Sequence, residues 1–139
     1  RGRIEAPVGR HPRDRQRMAV VADGREAVTE YEQLGSAGGY TLLSLRPRTG
    51  RTHQLRAHLA YLGLPIAGDL RYGGGPGPRD LERQFLHAAR LTLERPADGR
   101  RLTAWSELPA DLAASLTEAG INPTGLPSGV GARLVDGDG

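Results

Sequence analysis

Arginine, histidine and glutamine crowd one short stretch, Arg48-Thr49-Gly50-Arg51-Thr52-His53-Gln54-Leu55-Arg56-Ala57-His58, and a rigid Pro/Gly turn follows, Leu64-Pro65-Ile66-Ala67-Gly68-Asp69-Leu70-Arg71-Tyr72-Gly73. Core packing alone does not require this arrangement, so it reads as a functional surface. A guanidinium pairs with carboxylate or phosphate through a planar fork that an ammonium lacks. Arg56 falls one turn into the helix that this stretch begins, beside an apolar stripe. Partly buried there, it needs a carboxylate or phosphate partner. Arg51, His53 and Gln54 fall at the helix N-terminus, where backbone N–H groups and the helix dipole favour an anion.

Other chemistries find little support. His53 and His58 are five residues apart, which puts them on different sides of a helix, and no carboxylate or cysteine completes a ligand set, so no metal site is expected. No serine lies in a Gly-x-Ser-x-Gly elbow, and the Gly73–Pro78 run lacks the Lys and Ser/Thr of a P-loop. His87 sits in an alternating segment, where a hydrogen-bonded structural histidine is as good a reading as a functional one. The sequence contains no Cys, which excludes disulfides and thiolate sites.

Several elements must position these residues. Thr52 reads as the N-cap of a helix from His53 to about Leu62, ended by Gly63 and Pro65, with Leu55, Leu59 and Leu62 as its apolar stripe. Met18–Val21, Ala27–Leu34 and Tyr40–Arg46 read as strands of an antiparallel meander, with Asp23-Gly24 as a hairpin-type turn. Phe85–Leu93 and Leu102–Trp105 read as a hairpin around Pro96-Ala97-Asp98-Gly99. Pro109–Ala119 is predicted to be a closing helix, stopped by Gly120. Residues 1–17 hold six Arg around Pro7, Gly9 and Pro12 and read as a flexible basic arm, while 121–139 read as a frayed tail. The fold class is therefore α+β, with a mixed, mainly antiparallel sheet and a few helices. Its division is residues 1–109 as the main unit, 110–120 as the closing helix and 121–139 as the tail.

With 139 residues, 20 Gly and 10 Pro, the chain is long enough to bury a core but rich in loops. All 19 basic side chains are arginine, and 11 of them precede residue 57 against six acids. A basic N-terminal half fits a polyanionic partner. No run of apolar residues is long enough to span a membrane and no signal-peptide pattern is present, so a soluble, cytoplasmic protein is expected.

Five motifs then occur in a telling order. They are Gly2-x-Ile4-x-x-Pro7-Val8-Gly9-Arg10, Ala27-Val28-Thr29-x-Tyr31, Gly50 to Leu59, Gly63-Leu64-Pro65-Ile66-Ala67-Gly68-Asp69-x-x-Tyr72-Gly73, and Leu86-His87-Ala88. In this order they resemble the C-terminal part of the catalytic domain of RluA/RluD-type RNA pseudouridine synthases.

The resemblance implies isomerisation of uridines in rRNA or tRNA on an α+β domain without metal or organic cofactor. It gives Arg56 the role of the arginine that pairs with a catalytic aspartate. It makes Arg10, Arg51, Thr52, His53, Gln54, Leu86 and His87 candidates for contacts to RNA or the flipped nucleotide, with Leu86 on the wall of the uracil pocket. Asp69 and Tyr72 are expected mainly to shape the turn. The nucleophile of the family lies in an Arg-Leu-Asp segment that this sequence lacks, and a later tyrosine motif is also missing. The chain is therefore expected to be the second half of a catalytic domain, inactive alone; the other reading is a non-catalytic basic RNA-binding module. In either case Arg56 must be solvated or re-paired, and an open sheet edge invites self-association.

Overall fold

The computed structural model describes residues 1–122 together with the backbone of 131–135. Gly38 and Gly39 both take positive φ (60° and 79°), which closes a two-residue turn whose twist matches that of paired strands. The turn folds strand β4 (Val28–Ala37) back on β5 (Tyr40–Pro47), with Ala37 opposite Tyr40. The register slips at Gly35, where a Cβ would lie 2.9 Å from Ile121 Cγ2; glycine lets Ile121 approach the sheet there. On the other side of β4 lies β1 (Gly2–Glu5), pairing Ile4 with Thr29. The order in this sheet is β1-β4-β5.

The basic arm expected over residues 1–17 is thus largely paired backbone. After β1, strand β2 (Val8–Arg10) forms an antiparallel ribbon with β3 (Met18–Val20), leaving residues 11–17 as the connecting loop. Ile4, Ala6 and Val8 are buried at alternate positions, so an apolar period of two runs through this Arg- and Pro-rich segment. The meander is corrected too, because β3 pairs with β2 and not with β4. Asp23-Gly24 turns the chain without joining paired neighbours, and Gly24 passes so close to the Val8 backbone that a Cβ would meet it at 2.7 Å.

Helix α1 (Gln54–Tyr61) packs between two clusters. Leu59 joins Ile4, Ala6 and Ile66, flanked by Tyr31, Phe85 and Leu86, whereas Ala57 joins Val8, Ala27 and Tyr72. Burial of each large aliphatic side chain contributes about 1.5–3 kcal/mol. Leu62, expected in the apolar stripe, is instead exposed. Strands β6 (Arg90–Glu94) and β7 (Arg101–Trp105) pair as expected, but residues 85–89 are irregular, tied by the Phe85 N–H to the Ala67 carbonyl. Helix α2 (Ala110–Ala119) brings Leu116 against Leu42 and Ile121, and β8 (Gly131–Val135) pairs with β7 within the segment read as a tail. The rest of that expected tail, 123–130 and 136–139, lies outside the described residues. The architecture is α+β with antiparallel sheets, as the sequence implies.

Candidate functional site

Helix α1 does not start as expected. Thr52 makes no cap. The cap position belongs to His53, in the left-handed region (φ 51°, ψ 26°) and without a side-chain cap bond. A non-glycine residue there costs of order 1–3 kcal/mol and persists only where its surroundings hold it. Gln54 supplies that hold. Its carbonyl oxygen accepts from the Thr49 hydroxyl at 2.6 Å and from the Arg51 N–H at 3.1 Å, while its amide donates to the Val28 carbonyl and Thr29 Oγ1. Gln54 is 3% exposed, and both of its amide hydrogens and its carbonyl oxygen are engaged. The expectation that it contacts RNA is therefore corrected: its amide serves the interior. His58 lies in the same network, fully buried between Thr29 Oγ1 and the Ala6 carbonyl, both at 2.8 Å.

The left-handed turn at His53 carries its imidazole across to Tyr72. The rings meet edge to face with centroids 5.9 Å apart, and His53 Nδ1 lies 3.0 Å from the Tyr72 hydroxyl. That hydroxyl also accepts the Met18 N–H at 2.9 Å, so Tyr72 ties His53 to the start of β3. Burial pushes the imidazole pKa down, and the nearby charges of Arg56 and Arg71 push the same way against the pull of Asp69.

Arg56 lies over the same ring, its guanidinium carbon 4.5 Å from the Tyr72 ring centroid. Its Nε donates to Asp69 Oδ2 at 2.8 Å and its Nη2 to Oδ1 at 2.9 Å. The pair is nearly dry, with side-chain exposures of 13% and 1%. The hydrogen bonds to Asp69 raise the guanidinium pKa above its ordinary value, so Arg56 is a permanent cation. Asp69 is held by its loop. Its N–H donates to the Ile66 carbonyl, and Gly68 (φ 77°) passes where a Cβ would stand 2.1 Å from the Arg83 carbonyl oxygen. Asp69 shapes its turn as expected, Oδ1 accepting the Tyr72 N–H at 3.4 Å. It is also the carboxylate that pairs with Arg56 beside the Tyr72 ring. The only hint in the sequence is the Gly68-Asp69-x-x-Tyr72 spacing itself.

The remaining candidates scatter. Arg51 donates from Nε to the Glu26 carbonyl at 2.8 Å, and Thr52 is exposed. Arg10 is exposed at the end of β2, its Nη1 donating to the Arg15 carbonyl. Leu86 is half-buried against the cluster that contains Leu59, one turn along α1 from Arg56. His87 donates from Nε2 to the Ser106 carbonyl at 3.1 Å, which anchors the irregular segment before β6. The structure thus unites Arg56 and His53 around Tyr72, and seats Leu86 and His87 on neighbouring elements. Arg17, not singled out from the sequence, also lies over Tyr72, its guanidinium carbon 5.0 Å from the ring centroid.

A fixed guanidinium of this kind is chemically suited to pairing with an anion. Asp69 occupies the Nε/Nη2 edge of Arg56, which leaves Nη1 and one Nη2 hydrogen outside that pair. Residues 1–61 match the family described as RNA pseudouridylate synthase. The chain is 55% identical over 111 residues to an uncharacterized RNA pseudouridine synthase of Chloroflexus aurantiacus, covering 80% of this chain and 35% of that one. It is 41% identical over 122 residues to ribosomal large subunit pseudouridine synthase D of Haemophilus ducreyi, covering 79% and 38%. The fold matches human RNA pseudouridylate synthase domain containing 1 with a TM-score of 0.64 and 27% identity, over 92% of this chain and 55% of that one. The chain therefore spans little more than a third of the length of these curated relatives.

Proposed function

This chain belongs to the RluA/RluD type of RNA pseudouridine synthases, and from that premise we propose that it supplies the arginine half of a uridine-isomerising site in RNA. In that reaction the N1–C1′ bond of a uridine breaks, a C5–C1′ bond forms, C5 loses its proton and N1 gains one, so no atom is gained or lost overall. A nucleophilic aspartate, contributed by polypeptide outside these 139 residues, takes the free edge of Arg56. The fixed guanidinium keeps that carboxylate ionised and aimed. Leu86 supports an apolar wall for the flipped base, and Arg51, Thr52, His53 and Arg10 are the side chains we assign to contacts with the RNA.

The observation that carries this reading is the Arg56 fork, clamped along one edge by Asp69 and stacked on Tyr72. Uridine in the target RNA labelled with tritium at C5 tests it. The chain alone is expected to release no tritium, and the chain joined to the upstream half of a catalytic domain is expected to release it in a manner abolished by Arg56→Met. Absence of release from the joined protein refutes the reading and leaves an RNA-binding module.

A further inference from the structure

The Arg56–Asp69 pair is electrically balanced, so it adds little net field to draw an anion in. Among the described residues, the cation of this cluster that no carboxylate pairs with is Arg17. Its guanidinium lies over Tyr72, and its Nε is buried with no hydrogen-bond partner among the described residues. A buried charged donor left unmade is costly, and an exception of this kind asks for an explanation. Arg17 also closes the β2–β3 loop, on which Arg13 and Arg15 are exposed. That loop is built before any ligand arrives. His11 Nδ1 accepts the N–H groups of Arg13 and Asp14 at 3.1 and 3.0 Å, the His11 N–H donates to the Arg17 carbonyl at 2.9 Å, and Arg10 Nη1 clasps the Arg15 carbonyl at 2.9 Å. Its single acid, Asp14, faces Arg71 at 3.6 Å.

We propose that Arg17, with Arg13 and Arg15 of the same loop, forms a phosphate-binding site for the RNA backbone, separate from the fork of Arg56. The proposal rests on the reading of this chain as an RNA-directed protein. A row of arginines on a pre-formed loop matches a repeating polyanion better than it matches a lone carboxylate, and a pre-ordered loop loses little entropy on binding. Arg17 supplies the inner anchor, because Tyr72 already holds its guanidinium and no carboxylate among the described residues pairs with it.

Binding of a fluorescein-labelled RNA stem-loop by the full 139-residue chain, followed by anisotropy as salt rises, tests this directly. Arg17→Met is expected to weaken binding about tenfold and to lower the slope of log affinity against log salt by about one, with the melting temperature unchanged or higher. Arg17→Lys is expected to retain the slope. Arg95→Met, which removes an arginine paired with Asp98, controls for net charge. If the parent binds RNA and Arg17→Met matches it, or loses no more than Arg95→Met, the proposal falls and the RNA reading stands. A lower melting temperature for Arg17→Met with unchanged RNA binding also refutes it, since that marks a structural stack. If the parent chain does not bind the RNA, both fall together.

Discussion

Arg56 and Asp69, thirteen residues apart in sequence, meet through two parallel hydrogen bonds beside the ring of Tyr72. The meeting joins α1 to the Gly68–Gly73 loop and turns a motif of helix chemistry and a motif of turn chemistry into one unit. A carboxylate with 1% exposure cannot lose its cation without stranding a charge, nor can the cation lose its carboxylate. Asp69→Asn is therefore expected to lower stability by about 3–5 kcal/mol, read as a fall in the urea midpoint at unchanged slope. Replacing both partners, as Arg56→Met with Asp69→Leu, is expected to recover most of that loss, because an apolar pair leaves no uncompensated charge. If the single and double variants prove equally stable, the pair is not a stabilising clamp.

His53 provides a second, pH-dependent reading of the same cluster. Burial first, and then the Arg56 charge, depress its pKa below the ordinary histidine value of 6.5. The native state thus binds the proton less well than the unfolded chain. Its contribution to stability is complete above the unfolded value of about 6.5 and is lost as pH falls through the native value. Arg56→Gln removes a cation that lowers the value and frees an acid, Asp69, that raises it, so both changes act upward. The imidazole titration followed by NMR is expected to move up, toward 6.5, in Arg56→Gln. A midpoint that stays put or drops would show that the two side chains are not coupled.

Much of this was legible in the residues, and the parts that were not have identifiable causes. The two long strands and α2 follow from apolar alternation, the Gly38-Gly39 turn and the Pro109 and Gly120 boundaries. The pairing of residues 2–10 was hidden because Arg3, Pro7, Gly9 and Arg10 interrupt the alternation of Ile4, Ala6 and Val8, and partner choice between strands is set by packing beyond any local window. Thr52 has the chemistry of a cap, yet Gln54 outcompetes it with bonds to the preceding turn at Thr49 and Arg51 and to the distant strand residues Val28 and Thr29. The importance of Arg56 was evident from its place on α1, whereas its partner required the loop to fold back, which composition and spacing do not encode. Gln54 shows the opposite failure: a polar side chain at a helix start looks available to ligands until its burial is known.

That last point gives a test that separates a structural residue from a binding one. Gln54 holds the Val28 carbonyl, Thr29 Oγ1, the Thr49 hydroxyl and the Arg51 N–H, and His58 holds the other side of Thr29. Gln54→Leu removes an amide of similar volume and leaves several buried polar groups unmade, each costing about 1–3 kcal/mol when water cannot replace the partner. The expected loss is about 2–4 kcal/mol, since Thr49 and Arg51 are only partly buried and recover water. RNA affinity at fixed salt is expected to be unchanged wherever the chain remains folded, because no contact to RNA has been removed. Thr29→Val combined with His58→Phe extends the argument: Thr29 is the hydroxyl shared by both partners, so the double change is expected to cost less than the sum of the two single changes, with denaturation giving the coupling. Strict additivity would mean that Thr29 and His58 are not coupled, and a Gln54→Leu chain that is fully stable but binds RNA more weakly would return Gln54 to the RNA-binding surface.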